Sequence, residues 1–479
     1  MEFLKSCATG HTKRCIGRIT PVSHKTLALA VLLVAALLDG CSNSANISTS
    51  TASSPQPYMA PTISGGSGGV TSTDATYSIS DKDLTFAQKT YAFSGYQSGA
   101  QVNYSGNLTS LSRGLLKLDV NYACGTPTLA GCPGVTPPTD PGWAVELANQ
   151  DGGLLQMPGQ PFVPLVPATT CPSMSSAETF LFVTLPAPLL TGGTTIKDNW
   201  NPGLETAYGS VDISASGSTV TLANIKQYTL PATAGGVAGT PSNPSASSVT
   251  GACSTTVYGN TVAIPANPTI TTGSGATTTI SQQAMMGIGP SGFLVEDNGA
   301  NGSGTTAPYD NALGAGTGAI GLPKPSSAIG TSSLVGAQYL GFFYGSGSSG
   351  STTNWSSTVA SFGFASQPSS CASVATQTST MLYGGDFKNE DPTTSTDGYG
   401  KCDFAIDLGT QDSSTNGLFP AAMVYVGSSF ATNTTGKTYS FPAVAIAGQL
   451  NGKYAIFLIG EDTTGSPNQA WGIYLLQSN

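Results

Sequence analysis

The chain contains few charged residues and almost no histidine. Charged residues make up 9% of its 479 positions, and only two histidines, His11 and His24, occur. Both lie within the first 40 residues, outside the body of the chain. A body without imidazole excludes a Ser-His-Asp triad, a Cys-His nucleophile and a histidine metal ligand. Any catalysis would therefore have to depend on other side chains.

Basic residues are also scarce. Residues 1–40 carry five basic and two acidic side chains, and the remaining body has 11 Lys+Arg against 23 Asp+Glu, a net charge near −12. Arg113 is the only arginine of that body. Binding of nucleic acid requires clustered basic side chains that displace counterions from phosphates. The composition therefore predicts that nucleic acid is not a partner.

Residues 1–40 have the pattern of a signal peptide. Basic residues from Lys5 to Lys25 precede an uninterrupted apolar run, Thr26 to Leu38, which is too short to span a bilayer as a helix. The run ends in Leu38-Asp39-Gly40-Cys41, which resembles a bacterial lipobox. That resemblance implies lipidation of the Cys41 sulfur and cleavage before it. An ordinary secretory signal followed by a coincidental cysteine is the alternative.

A lipid on Cys41 would make the membrane a partner through the anchor alone. Ser42 at the next position favours the outer membrane by the same resemblance. Residues 41–75 are mostly Ser, Thr, Gly, Pro and Asn, a composition that predicts a flexible tether. Residues 76–479 are predicted to form a single large all-β domain facing the periplasm or the cell surface.

The remaining cysteines indicate disulfides. Besides Cys41 the body has six: Cys124, Cys132, Cys171, Cys253, Cys371 and Cys402. An even count in an exported protein favours three bridges, for which 15 pairings exist. Pairing between neighbours costs the least loop-closure entropy, so we predict 124–132, 171–253 and 371–402.

The body shows the two-residue period of β-strands and no sustained helical period. Leu116, Leu118, Val120 and Tyr122 alternate with polar residues and predict one half-buried strand. Hairpins are predicted around Gln150-Asp151-Gly152, Ser216-Gly217, Pro290-Ser-Gly292 and Asn451-Gly452. We therefore predict an all-β fold of antiparallel sheets.

Three predicted strands are apolar on both faces: 180–185, 421–426 and 454–459. Burial on both faces favours sheets packed between other sheets, so a propeller-like array is the preferred architecture and a barrel plus a sandwich is the alternative. Gly/Ser/Thr-rich stretches at 232–251, 298–318 and 345–358 are predicted to be long surface loops.

Seven acidic residues lie between Asp386 and Asp412. Calcium binds six to eight oxygen ligands, so Asp386, Glu390, Asp391 and Asp397 form a candidate calcium site, with a solvated loop as the alternative. No other cofactor is predicted.

The pairs Glu296-Asp297 and Glu461-Asp462 are the visible carboxylates for a glycoside hydrolase, but neighbours on a strand point to opposite faces.

Trp355 is predicted to be exposed in a Ser/Thr-rich stretch, where it could stack on a glycan or contact a protein ligand.

The blocks 287–297, 338–342, 383–387 and 441–446 resemble an uncharacterised family of β-proteobacterial lipoproteins, whose role is itself unknown. We therefore expect a non-catalytic envelope lipoprotein for surface display, adhesion or ligand binding. The alternative is a carboxylate-based glycoside hydrolase or other envelope hydrolase.

Overall fold

A computed structural model provides the fold. The structure describes residues 56–59, 83–87, 90–97, 100–111, 114–125, 136–147, 150–158, 163–167, 171–184, 207–230, 248–256, 259–264, 269–271, 277–279, 284–298, 318–349, 352–362, 380–386, 404–427, 438–462 and 469–478. Every strand pairing within these ranges is antiparallel, which confirms the predicted all-β class.

The first barrel contains eight strands in sequence order. They are β1 (Gln56–Met59), β2 (Asp83–Ala87), β3 (Thr90–Gln97), β4 (Ala100–Ser110), β5 (Leu115–Gly125), β6 (Gly142–Glu146), β7 (Gly153–Gln156) and β8 (Val163–Pro167). Each strand pairs with the next, and β1 pairs with β8 through Tyr58–Pro167 and Met59–Val166. The hydrogen-bonded sheet therefore closes on itself.

The second barrel repeats this order. Its strands are β9 (Glu178–Thr184), β10 (Ala207–Ser216), β11 (Thr219–Thr229), β12 (Ser248–Thr256), β13 (Gly259–Ile264), β16 (Ala284–Ile288), β17 (Leu294–Asn298) and β18 (Gly318–Pro323). A separate two-stranded sheet, β14 (Thr269–Thr271) and β15 (Thr277–Thr279), interrupts the path between β13 and β16. The barrel closes where β18 pairs with β9.

The third barrel follows a short helix, α1 (Thr331–Val335). Its strands are β19 (Tyr339–Ser349), β20 (Thr352–Phe362), β21 (Met381–Asp386), β22 (Phe404–Asp407), β23 (Leu418–Val426), β24 (Tyr439–Leu450), β25 (Lys453–Asp462) and β26 (Gln469–Gln477). It closes where β19 pairs with β26. The described part of the chain thus contains three eight-stranded antiparallel barrels in tandem.

Alternation along the strands sends one set of side chains into each barrel. The first interior contains Tyr58, Tyr91 and Tyr104 together with one alternating set of apolar residues from β5 to β8, among them Leu118 and Leu155. The second interior contains Phe180 and Phe182 among smaller aliphatic side chains. The third interior contains several aromatic rings, and the ring centroid of Phe343 lies 4.9 Å from that of Trp471 and 5.9 Å from that of Phe404.

The opposite faces of the same strands pack the barrels against one another. We call this cluster the interbarrel core; it includes Trp143, Val145 and Leu154 of the first barrel, Phe293, Val295 and Ile320 of the second, and Phe457, Ile459 and Tyr474 of the third. β8 contacts β17, and β9 and β18 contact β24 and β25. The ring centroid of Phe457 lies 5.9 Å from that of Phe293 and 6.1 Å from that of Tyr474.

The interbarrel core explains why the architecture differs from the preferred prediction. The two strands β9 and β25 are buried on both faces as predicted, but barrels packed side by side produce that burial, not the blades of a propeller. The third predicted case was wrong, because β23 alternates between buried and more accessible residues over 421–426. Barrels, part of the alternative prediction, are the observed architecture.

Three segments predicted to lack regular structure contain strand residues. Gln56–Met59 lies within the predicted tether 41–75 but forms β1, because Tyr58 enters the first interior. The predicted loop 345–358 is largely the hairpin of β19 and β20, which pair from Tyr339–Phe362 to Ser349–Thr352. The predicted loop 232–251 ends in β12, which begins at Ser248.

Candidate ligand-binding site

The chain between the second and third barrels covers one end of the third barrel. After β18, residues 324–330 lead into α1, whose Leu334 and Val335 belong to the third interior. The phenol of Tyr339 donates a hydrogen bond to the Leu334 carbonyl oxygen at 2.8 Å. Burial of those two aliphatic side chains holds α1 in the barrel end, since a five-residue helix is too short to be stable alone.

Hydrogen bonds from the third barrel hold the covering segment in place. The Gln411 Oε1 atom accepts from the backbone N–H of Ile329 at 3.1 Å and from that of Gly417 at 2.8 Å. The Asn416 amide donates to the Pro325 carbonyl oxygen at 3.2 Å. With its backbone fixed in this way, residues 324–330, named here the strap, form a preorganised wall.

A cavity of about 380 Å³ lies between the strap and the barrel rim and opens to solvent, since Ser326, Ser327 and Gln449 in its lining are exposed. Its lining residues are Pro323, Lys324, Pro325, Ser326, Ser327, Ala328, Ile329, Gly330, Ser333, Gln449 and Tyr454. Gln449 and Tyr454 are paired across β24 and β25. They follow the inward alternation of Ala447 and Ile456, so they project from the rim toward the strap.

The lining has a defined polar character. It offers three serine hydroxyls, the amide of Gln449, the phenol of Tyr454 and one cation, Lys324. No Asp or Glu is among these residues. The volume falls within the range of about 300–1,000 Å³ for small-molecule sites, which commonly occupy the mouths of β-barrels. The arrangement suits a small, uncharged or singly anionic polar ligand.

A second polar cluster joins the three barrels. Each barrel contributes the turn between its sixth and seventh strands: Asp151 from β6–β7, Ser291 from β16–β17 and Asn451 from β24–β25. The Asp151 Oδ2 atom accepts from the Ser291 backbone N–H at 2.7 Å and from the Asn451 amide at 3.1 Å. Asp151 is 2% exposed, so this three-barrel junction includes a buried carboxylate.

The surroundings of Asp151 disfavour the charged form of its carboxyl group. Burial raises the pKa of Asp151, and its hydrogen bonds with Ser291 and Asn451 offset that shift only in part. Its Oδ1 atom and the Ser291 hydroxyl are both buried with no hydrogen-bond partner among the described residues. Gly289 leaves room for Asp151, because a Cβ there would lie 2.4 Å from the Asp151 backbone carbonyl oxygen and 3.0 Å from its Oδ1 atom.

The first barrel contains a third polar feature. The Tyr58 phenol donates to the Glu146 Oε1 atom at 2.5 Å inside the barrel. Burial raises the pKa of both groups, and the neighbouring Glu146 raises that of Tyr58 further. The adjoining cavity measures about 10 Å³, which holds no more than one water molecule. This pair therefore has no room for a substrate.

The structure contains one of the three predicted disulfides, Cys171–Cys253, among its described residues. Cys171 and Cys253 are bonded, with their Cα atoms 5.8 Å apart, and the bridge ties the segment before β9 to β12. The predicted pairs 124–132 and 371–402 depend on side chains that lie outside the described residues.

Most of the other predicted site residues lie outside the described part of the chain. Cys41, Glu390, Asp391 and Asp397 lie outside the described residues, and Asp386 is described only as the end of β21. Trp355 lies on β20 opposite Ser346, within a strand and not in the predicted loop. In the described part of the chain, no three His, Cys, Asp or Glu side chains are close enough to hold a metal ion.

Comparisons with family models, curated proteins and solved structures find no match to this chain. The likeness to a lipoprotein family therefore remains a prediction. Among the described residues, no helix is long and apolar enough to cross a membrane.

Sequence reasoning missed the cavity at the third barrel. Its only local sign is Pro323-Lys324-Pro325, where two prolines end the strand pattern and a cation follows an apolar run. Gln449 and Tyr454 flank the predicted Asn451-Gly452 turn, but nothing in the sequence indicates that the strap lies over them.

Proposed function

We propose that the protein is a cell-envelope lipoprotein that binds a small polar ligand at the mouth of its third barrel without transforming it. The observation that carries this proposal is the 380 Å³ cavity between the strap and the rim residues Gln449 and Tyr454. Binding, among the expected functions of display, adhesion and ligand capture, is the one for which the described residues offer a preorganised concave site.

The interiors favour binding at a barrel mouth over binding inside a barrel. Among the described residues, aromatic and aliphatic side chains occupy all three interiors, and α1 packs into the third. The strap is fixed to the third barrel by Gln411 and Asn416, so the site loses little conformational entropy when a ligand binds.

The cavity lining supports a binding role over a hydrolytic one. A glycoside hydrolase requires two carboxyl groups on opposite sides of the scissile bond. The lining contains neither Asp nor Glu. Glu296-Asp297 and Glu461-Asp462 lie on β17 and β25, where adjacent residues alternate between faces. We therefore assign the cavity to recognition.

The anchor is tested through Cys41. In a bacterial host that lipidates proteins, the wild type should incorporate an alkyne-labelled fatty acid and fractionate with membranes. Cys41→Ser should do neither, and Cys124→Ser is the matched cysteine control that keeps the label. A Cys41→Ser protein that still carries the label would contradict the anchor.

Ligand binding is tested with a cavity-filling variant. Gly330 has an ordinary backbone φ of −64°, and a Cβ there would lie 3.7 Å from the nearest side-chain atoms, so Gly330→Phe introduces a ring without backbone strain. Ser218→Phe, at an exposed turn of the second barrel, is the control.

Ligand-observed NMR would measure binding of glucose, glucuronate, serine and inorganic phosphate at millimolar concentrations. This panel covers neutral, anionic and zwitterionic polar ligands. We expect wild type and Ser218→Phe to bind at least one of the four, and Gly330→Phe to bind none. Binding by none of the proteins, or equal binding by Gly330→Phe, would overturn the proposed site.

A further inference from the structure

We propose that the ligand of the third-barrel cavity is a monosaccharide that carries one carboxylate, that is, an acidic sugar. This inference rests on the proposed function and specifies the chemical class of the ligand. It follows from three properties of the lining: its size, its hydroxyl and amide groups with one aromatic ring, and its single cation.

The cavity size suits one sugar ring. Its volume of about 380 Å³ lies near the lower end of the range for small-molecule sites. The strap closes one side and the rim of β24 and β25 the other, so the open side is the entrance. A ligand larger than one ring would extend into solvent from this entrance.

The neutral groups of the lining match a polyhydroxylated ligand. Serine hydroxyls donate and accept, and a glutamine amide does both through separate atoms, as sugar hydroxyls require. Ser326, Ser327 and Ser333 approach from the strap and α1, whereas Gln449 approaches from the rim. The hydrogen-bonding groups therefore surround the cavity from two elements.

Tyr454 adds an amphipathic aromatic ring beside Gln449. Its ring is half-buried and packs against the third interior, and it lines the cavity. An aromatic body with a polar tip can contact the apolar C–H face of a sugar while its hydroxyl bonds a neighbouring oxygen. Such a ring has little use for a bare inorganic anion.

Lys324 determines the expected charge of the ligand. It is the only charged residue of the lining. A zwitterion or a cation would need a carboxylate partner, and the lining has none. A phosphate with two charges would favour several cations or a bidentate arginine. One lysine in a body with a net charge near −12 suits one carboxylate.

Glucuronate and glucose, a matched pair of probes, test the inference by titration calorimetry or NMR. We expect wild type to bind glucuronate about two- to fivefold more tightly than glucose, since Lys324 is partly exposed and its ion pair is screened by water. Raising the salt concentration should reduce this preference.

Two lysine variants isolate the charge. Lys324→Gln should bind glucuronate and glucose equally, whereas Lys453→Gln, which removes a lysine next to Tyr454 but outside the lining, should keep the preference. Tyr454→Leu keeps an apolar side chain on the third interior and should bind neither sugar. Unchanged unfolding midpoints for these variants would show that the barrel is intact.

The outcomes separate this inference from the proposed function. If both sugars bind equally to wild type, or if serine or phosphate binds and the sugars do not, the acidic-sugar inference is overturned while the cavity remains a binding site. If no probe binds and Gly330→Phe behaves as wild type, both proposals fail. A preference for glucuronate that only Lys324→Gln abolishes supports the inference.

Discussion

The three-barrel junction yields a prediction in which two substitutions at one position have opposite effects. Asp151→Ala removes the acceptor of the Ser291 backbone N–H and of the Asn451 amide. Asp151→Asn retains an acceptor oxygen of the same shape and removes only the charge. The comparison therefore separates hydrogen bonding from electrostatics at a buried carboxylate.

The magnitude for Asp151→Ala comes mainly from the Ser291 N–H. The Ser291 N–H lies in a part-buried hydrogen bond, and a buried donor left without an acceptor costs at most about 1–3 kcal/mol. Asn451 is exposed and can exchange its lost partner for water, so it adds little. We expect Asp151→Ala to lower the free energy of unfolding by about 1–3 kcal/mol at pH 7.

The expectation for Asp151→Asn has the opposite sign. The carboxylate is buried, its Oδ1 atom has no partner among the described residues, and burial raises its pKa. An asparagine can keep both acceptor contacts through its amide oxygen while it carries no charge. At pH 7 we expect the variant to be as stable as wild type or more stable by up to about 1 kcal/mol.

The pH dependence follows from the direction of the pKa shift. Because the folded pKa of Asp151 lies above its unfolded value of 3.8, folding favours the protonated form. Its contribution to stability is complete below the unfolded pKa and is lost as the pH rises through the folded pKa. The advantage of Asp151→Asn over wild type should therefore be larger at pH 7 than at pH 4.

Urea unfolding followed by tryptophan fluorescence between pH 4 and pH 8 would measure these differences. Asp140→Asn removes an exposed charge from the same barrel and should not reproduce the pH-dependent difference. If Asp151→Asn is as destabilising as Asp151→Ala at pH 7, the negative charge itself stabilises the junction and the reasoning is wrong.

Three further predictions concern packing and the disulfide. Phe457→Ala should cost about 3–5 kcal/mol in a thermal melt, because its ring joins Phe293 and Tyr474 in the interbarrel core; a loss below 1 kcal/mol would contradict that assignment. Gly341→Ala should prevent closure of the third barrel and leave the protein insoluble, because its Cβ would overlap the Tyr474 carbonyl oxygen on β26. Gly452→Ala is the control: its Cβ would meet open space, so the φ of +76° should cost only about 1 kcal/mol of stability and the protein should stay soluble. Replacing Cys171 and Cys253 together by alanine should lower stability by up to about 4 kcal/mol, because the bridge closes a loop of 82 residues, and an unchanged melting midpoint would count against this.

Local patterns in the sequence identified the hairpins well. At the Asn451-Gly452 turn both residues have positive φ, 51° and 76°, as a type I′ turn requires. The turns at Ser216-Gly217 and around Ser291 also join the strands that were predicted. These predictions succeed because turn chemistry and alternation act over a few neighbouring residues.

The strand around Val120 shows where alternation alone fails. Leu116, Leu118 and Val120 face the first interior as predicted, but Tyr122 is 46% exposed. Ser105 pairs with Tyr122 and Gly106 with Val120, so Asn121 is an extra residue that forms a bulge. The bulge shifts the alternation by one residue. A bulge depends on the partner strand, which the local pattern does not contain.

The candidate site depended on long-range packing throughout. The strap comes from the connection after β18, whereas Gln449 and Tyr454 follow more than 110 residues later. No short sequence pattern connects the strap with these two rim residues, because they meet only in the folded third barrel. Asp151 was visible in advance only as a turn residue.

The amino-acid sequence by itself determined the β class, the hairpin turns and one disulfide, since each depends on side-chain alternation, on φ angles that few residues adopt, or on pairing between neighbouring cysteines. Tertiary structure alone decided that the strands close into three barrels, that their outer faces form a shared core, and that a strap and a rim enclose a cavity. Apolar residues on both faces indicated two-sided burial correctly for β9 and β25 but not for β23, because the assembled barrels decide which outer faces are covered.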